Sequence, residues 1–274
     1  MTNTALHSRR ERLESLITSY GTLAVAFSGG VDSTLLAKVA HDILGDRVLA
    51  ITVDSEAYPP ASIEETRCLA RDIGIRLVEL PARVTEIQGF VKNEPDRCYH
   101  CKKALFSLMR DKACELGFNT IADGSNVDDL ADYRPGELAL EELGVRSPLK
   151  EAGFTKQDIR LLSRELGLPT WNRQSYACLA SRFPYGTAIT PALLNRIGKA
   201  EEVFPELGFS HFRVRHHGPI ARIEVAPGEL PLLFEGDNRK RIISHLKSLG
   251  YSYITVDLEG YRSGSMNEVL DETG

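Results

Sequence analysis

The sequence predicts an α/β protein: a mostly parallel sheet with helices on both faces, followed by a small α+β domain. Three observations predict it. Short apolar runs alternate with segments of helical periodicity through the first two thirds of the chain, the order that builds parallel sheets. Glycines stand where those helical segments should stop, at Gly45, Gly74 and Gly117. The last third changes to two strands about a Gly218-Pro219 turn, then a helix and a further strand.

Residues 11–20 read as a short amphipathic helix. The run TLAVAF at 22–27 reads as a buried strand, and 33–44 has apolar residues at helical spacing. A second strand is expected at 48–53, a helix at 63–73 and a third strand at 76–80. A helix at 104–116 and a fourth strand at 120–123 continue the alternation. Thr155 is an N-cap candidate for a helix at 155–166. Residues 171–187 show little pattern, and Pro184, Gly186 and Pro191 punctuate them, so the boundary is drawn between domains 1–186 and 187–274. In the second domain, helices are expected at 191–207 and 230–249 and strands at 211–216, 220–225 and 251–258.

The 274 residues are 42% hydrophobic and 26% charged, the balance of a chain with a packed core. A net charge of −5 argues against a generic nucleic-acid binder. No apolar run reaches the roughly 18 residues of a membrane span. Residues 1–12 are polar and lack an apolar signal region, so the cytoplasm is the expected location.

Ser28-Gly29-Gly30-Val31-Asp32-Ser33 joins the first strand to the helix after it. Glycines let the backbone turn sharply beside a ligand, and a helix start offers N–H groups to an anion such as pyrophosphate. Ser28 and Ser33 add hydroxyls, and Asp32 suits a Mg²⁺ ion between it and the anion. Without a ligand the same string is an ordinary strand–turn–helix connection, and no Gly-Lys-Ser/Thr follows to make a Walker A loop.

Of five cysteines, Cys68 and Cys114 fall in helical patterns and are expected to be small buried hydrophobes. Cys98 and Cys101 form a C-x-x-C pair, and Cys178 follows 77 residues later. Spacing alone leaves three readings open: a [4Fe–4S] cluster with one open iron, a zinc site lacking a clear fourth ligand, or a bland one of unrelated thiols or a reversible Cys98–Cys101 disulfide.

The string SGGVDS resembles the loop of the PP-loop ATP-pyrophosphatase superfamily, which implies an adenine-nucleotide-hydrolase-like fold and adenylation of a substrate oxygen by ATP. By that resemblance Asp54, in Val53-Asp54-Ser55, lies near the adenosine. More narrowly, the chain resembles the LarE family of ATP-dependent sulfur transferases, which serve assembly of the nickel-pincer cofactor of lactate racemase. AFSGGVDS (26–33), CYHCKKALFSLM (98–109), DYRPG (132–136), SRFPYGT (181–187), FRVRHH (212–217), ARIE (221–224) and GYRSGSMN (260–267) carry this resemblance over most of the chain. One version of that family has a single cysteine, at the position of Cys178, and surrenders its sulfur. The other has three and holds a [4Fe–4S] cluster. The presence of Cys98, Cys101 and Cys178 implies the second version, with repeated turnover.

Arg213 and Arg215 project from one face of a strand, with His216, His217 and Arg222 nearby. Such a pair suits a phosphate or carboxylate, and equally a solvated ion-paired face. The resemblance implies the phosphate of a mononucleotide substrate. Ser181 and Arg182 are expected to orient an acyl-adenylate, and Lys102 or Lys103 to neutralise charge near the cluster or phosphate. Asp32, Asp128, Asp129 and Asp132 compete for the role of Mg²⁺ ligand, and Glu202 and Glu224 resemble metal-binding positions of the family. The implied partners are a sulfide donor and further copies of the chain, a hexamer included. The rival readings are sacrifice of the Cys178 sulfur, a PP-loop tRNA thiolase or amidotransferase, and a carrier or sensor without catalysis.

Overall fold

The computed structural model describes residues 3–131, 135–173, 177–262 and 265–268. Its contacts divide the chain into two compact units. The first comprises Met1–Ser55, Pro60–Gly89 and Pro95–Tyr176, and the second Glu56–Pro59, Phe90–Glu94 and Ala177–Gly274. Residues 177–186 thus pack with the tail, ten residues ahead of the boundary drawn from the proline and glycine punctuation.

In the first unit, strands β1 (Leu23–Ala26), β2 (Val48–Asp54), β3 (Arg76–Pro81) and β4 (Ile121–Ala122) form a parallel sheet in the order β3-β2-β1-β4. Side chains alternate across a strand, so each strand feeds two cores. Leu23 and Val25 of β1 and Val48 and Ala50 of β2 join Leu13, Ile17, Leu35 and Leu36 on one face. Ala24, Leu49 and Ile51 join Phe106, Met109 and Ala113 on the other. Helices Asn3–Tyr20 and Val31–Leu44 supply the first face and helix Arg97–Glu115 the second.

Helix Arg97–Glu115 begins seven residues before the expected 104, because its opening Arg-Cys-Tyr-His-Cys-Lys-Lys carries no apolar period to read. Helix Lys156–Glu165 is capped as expected: the Thr155 hydroxyl accepts from the Asp158 N–H, and the Asp158 carboxylate accepts from the Thr155 N–H at 2.9 Å.

In the second unit, β5 (Phe212–His217) pairs antiparallel with β6 (Ile220–Val225), and β6 pairs parallel with β7 (Tyr253–Val256). The helix expected at 191–207 is divided into Pro191–Glu201 and Val203–Glu206, since Pro205 has no N–H to continue the ladder. The one expected at 230–249 becomes a 3₁₀ segment, Pro227–Phe234, and helix Asn238–Ser248, separated where Gly236 takes a φ of 50°. Among the described residues no helix is long and apolar enough to cross a membrane.

A buried ion pair ties this unit together. Arg182 Nε and NH2 donate to the two oxygens of Glu201 at 3.0 and 2.8 Å, and the Val214 N–H donates to the same carboxylate at 3.0 Å. Burial alone would raise the Glu201 pKa, but the Arg182 charge and these hydrogen bonds hold it below the ordinary value. A lowered folded pKa contributes stability above the unfolded value, lost as pH falls through the folded one. We therefore expect Glu201→Gln to lose about 3 kcal/mol at neutral pH, as broken buried pairs do. The native chain should lose urea stability on acidification below the ordinary glutamate pKa, and Glu201→Gln should flatten that loss. A variant with native stability and native pH dependence would contradict the account.

Candidate active site

Strands β1, β2 and β3 wind to one side of the sheet while β4 lies on the other side of β1, so the winding reverses between β1 and β4. Open parallel sheets take ligands beyond the carboxyl ends of their strands at such a reversal. Here the segments beyond those ends are 27–30 and 123–129. Gly29 has a φ of 70°, and a Cβ there would lie 2.8 Å from Thr66 Oγ1, so only glycine fits. Gly30 is the N-cap residue of helix Val31–Leu44 and brings no side chain to the first-turn N–H groups. Ser28 Oγ and Ser33 Oγ lie 3.2 Å apart, and Ser33 Oγ donates to the Gly30 carbonyl at 3.2 Å. From the other side Gly124 approaches so closely that a Cβ would stand 2.9 Å from the Ser33 nitrogen.

Asp32 sits in the first turn of that helix, and burial raises its pKa. The ammonium of Lys156, 2.5 Å from Oδ2, opposes the rise, and Asp129 adds to it. Asn126 Nδ2 reaches Oδ1 at 3.5 Å. The other carboxylates of the crevice have backbone partners: Asp128 accepts from the Lys156 N–H at 2.8 Å, and Asp129 from the Asn126 N–H at 2.9 Å. Asp32 is thus the carboxylate at the loop itself, whereas Asp132 lies outside the described residues. Arg173 NH1 donates to the Gly29 carbonyl at 3.1 Å and NH2 to Glu65 at 2.6 Å, which braces the loop from outside. Asp54 ends β2 with its side chain exposed, and beside it Ser55 is buried with no hydrogen-bond partner for Oγ among the described residues. The loop is legible in the sequence, but Lys156, Asn126, Gly124 and Arg173 are not among the expected site residues. Lys156 had a signal, as the residue after the Thr155 cap; Arg173, in a patternless stretch, had none.

Cys98 and Cys101 lie at the start of helix Arg97–Glu115, one exposed and one half-buried, three residues apart and so on one side of the helix. His100 between them is turned onto Asp96, at 3.0 Å, and covers Gly89. Lys102 lies over Gly136, where a Cβ would meet its Cδ at 2.6 Å. Lys103 is held by Glu142 and the Tyr99 hydroxyl, both at 2.7 Å. The expectation for the two remaining cysteines is corrected. Cys68 is only half-buried, with Arg71 NH2 3.1 Å from its sulfur, and Cys114 is exposed because its helix buries the row Phe106, Met109 and Ala113 instead. Among the described residues no three His, Cys, Asp or Glu side chains gather as a metal site.

In the second unit, half-buried Cys178 precedes a 3₁₀ turn, Leu179–Arg182. Arg182 NH1 donates to the carbonyls of Ala177 and Cys178, at 2.9 and 3.1 Å, and to Ser181 Oγ at 2.9 Å. Arg182 thereby positions the Cys178 turn from a buried place rather than from its surface. The Ser181 carbonyl accepts from Arg215 NH1 at 2.9 Å. Strand register sets Arg213 opposite Glu224 and Arg215 opposite Arg222, so these four share one face of the small sheet. Glu224 is wholly buried and holds Arg215 at 2.6 Å and Arg222 at 2.9 Å, while Glu202 is exposed at the end of its helix. Arg213 is buried under the Tyr261 ring, and burial together with the Arg182 charge pushes its pKa down to about 10. Arg215 Nε and His217 Nε2 are buried without a hydrogen-bond partner among the described residues. Excess positive charge and orphan nitrogens on one face suit an anionic group.

Comparison with known proteins agrees with this layout. Residues 7–107 match the NAD synthase family. An uncharacterized protein of Synechocystis sp. is 40% identical over 97% of this chain and 99% of its own length. The pyridinium-3,5-bisthiocarboxylic acid mononucleotide synthase of Lactiplantibacillus plantarum is 38% identical over 97% of this chain and 96% of its own. A glutamine-hydrolyzing GMP synthase of Pyrobaculum aerophilum is 27% identical over 54% of this chain and 32% of its own. Similarity to that wider relative thus stops at about half of the chain, whereas the Synechocystis and L. plantarum proteins match both units. On that ground the chain belongs to the LarE family of the PP-loop superfamily, the family of the L. plantarum synthase.

Proposed function

We propose that the protein is an ATP-dependent sulfurtransferase that converts pyridinium-3,5-biscarboxylic acid mononucleotide to its thiocarboxylate for a nickel-pincer cofactor. The observation that carries the reading is the Ser28–Ser33 loop at the sheet reversal, in a chain matched end to end by the L. plantarum synthase. The PP-loop family binds ATP with Mg²⁺. The first-turn N–H groups and the Ser28 and Ser33 hydroxyls take the polyphosphate, and Asp32 offers the hard oxygen that Mg²⁺ prefers. A substrate carboxylate oxygen attacks the α-phosphorus and pyrophosphate leaves. Sulfide then attacks the acyl carbon and AMP leaves. On the second unit, Arg213 and Arg215 are assigned to the anionic groups of the mononucleotide, and Arg182 with Ser181 holds the Cys178 turn.

Cys98, Cys101 and Cys178 are assigned to a [4Fe–4S] cluster, which when bound supplies an open iron able to carry sulfide. Cysteines three residues apart at the start of one helix suit two ligand positions, with His100 turned onto Asp96. The same reading places the protein in the cytoplasm with a sulfide-supplying partner. It also includes self-association, for which exposed Phe234, Tyr253 and Leu258 of the second unit offer apolar surface.

Adenylation is tested by AMP and pyrophosphate release that depends on the biscarboxylate mononucleotide. Gly124→Ala, whose methyl would displace the Ser33 amide, should cost about a hundredfold in rate with an unchanged circular dichroism spectrum. Absence of substrate-dependent pyrophosphate from the native chain would overturn the reading. The cluster is tested by iron and acid-labile sulfide after anaerobic purification. About four irons per chain are expected in the native protein and none in Cys98→Ala. No iron in the native protein, with loss of the Cys178 sulfur on turnover, would make that cysteine a sacrificial donor instead.

A further inference from the structure

Arg215 and His217 stand two residues apart on one face of β5, and each keeps a buried nitrogen with no hydrogen-bond partner among the described residues, Nε in the first and Nε2 in the second. Arg215 is only 4% exposed. Its NH1 is given to the Ser181 carbonyl at 2.9 Å, and its NH2 to Glu224 and Ser265 Oγ at 2.6 and 3.1 Å. His217 closes the strand, and the residue paired with it on β6, Ile220, is apolar. A buried donor left unused costs stability, and two of them on one face call for a partner that the free chain does not supply.

The donors themselves narrow the class of that partner. A planar carboxylate pairs best with a guanidinium fork, two parallel N–H groups of one arginine. Arg215 has no such fork to give on the Nε edge, because the neighbouring NH2 is already committed. Single donors on two residues of one face suit instead a tetrahedral oxyanion, whose oxygens diverge. The surroundings favour the same ligand. Arg213, Arg215 and Arg222 outnumber Glu224 on this face. Residues 265 and 266 meet two of these arginines with neutral groups, Ser265 Oγ on Arg215 and Met266 Sδ 3.7 Å from Arg222 NH2. An anion binds arginine more strongly than a hydroxyl or a thioether does. Burial and the charges of Arg222 and Arg215 push the His217 pKa down against the pull of Glu224, so the ring adds a donor without adding charge. We infer that His217 is a specificity-determining residue of the substrate site, its Nε2 donating together with Arg215 Nε to the phosphate monoester of the mononucleotide. This rests on the substrate reading given under the proposed function.

A histidine that only fills space and one that holds a phosphate respond differently to an apolar replacement. The test uses the full-length chain, His217→Leu and His217→Gln. The biscarboxylate mononucleotide and its dephosphorylated nucleoside are titrated by calorimetry, and urea unfolding is followed without ligand. His217→Leu should bind the mononucleotide about tenfold or more weakly, the worth of a hydrogen bond to a charged group, and bind the nucleoside as the native chain does. Its urea stability should be native or higher, because a buried nitrogen without a partner has gone. His217→Gln, which keeps an N–H donor, should recover part of the mononucleotide affinity. Equal weakening for both ligands, a loss of urea stability in His217→Leu, or an unchanged mononucleotide affinity makes His217 a packing residue and overturns the inference. A native chain that does not bind the mononucleotide instead overturns the substrate reading itself, so the two failures are distinct.

Discussion

Everything in the first unit follows from one constraint: the chain must pass from the buried strand β1 to a helix within the four residues 27–30. That turn works only if Gly29 adopts a positive φ and carries no Cβ, which would lie 2.8 Å from Thr66 Oγ1. Once made, it aims the start of helix Val31–Leu44 into the gap between β1 and β4, and Gly124 and Arg173 close around it. The loop backbone is thus enclosed by Thr66 and Gly124 and tied by the Arg173 hydrogen bond.

The second unit solves a different problem. It buries Arg182, Arg213 and Arg215 against the carboxylates Glu201 and Glu224. Desolvating so many charges contributes little net stability, but it fixes each group's orientation, because a misplaced partner would leave a buried charge uncompensated. The arginines thus hold one arrangement, and the small sheet presents a positive face of fixed shape.

Much of this was legible in the sequence. The strands among the described residues were expected close to where they lie: buried parallel strands such as β1 and β2 read as short apolar runs whatever surrounds them, and β5 and β6 were marked by the Gly218-Pro219 turn between them. The glycine loop was legible because a sharp strand-to-helix turn restricts residue type locally. The early start of helix Arg97–Glu115 was hidden by polar residues that follow no period, and Pro205 and Gly236 interrupted helices whose periodicity ran past them. Lys156 and Arg173 were hidden for a different reason: their roles depend on partners 124 and 144 residues away, which no local pattern records. Cys178, conversely, stood out in sequence, but the carbonyl grip of Arg182 on its turn did not.

That grip bears on how such a protein changes over evolutionary time. Arg182 holds main-chain carbonyls of residues 177 and 178, and the strand Phe212–His217 holds the carbonyl of 181. None of these bonds uses the sulfur. The anchorage is therefore indifferent to what the side chain at 178 becomes, and a lineage can gain or shed sulfur chemistry there while inheriting the same scaffold.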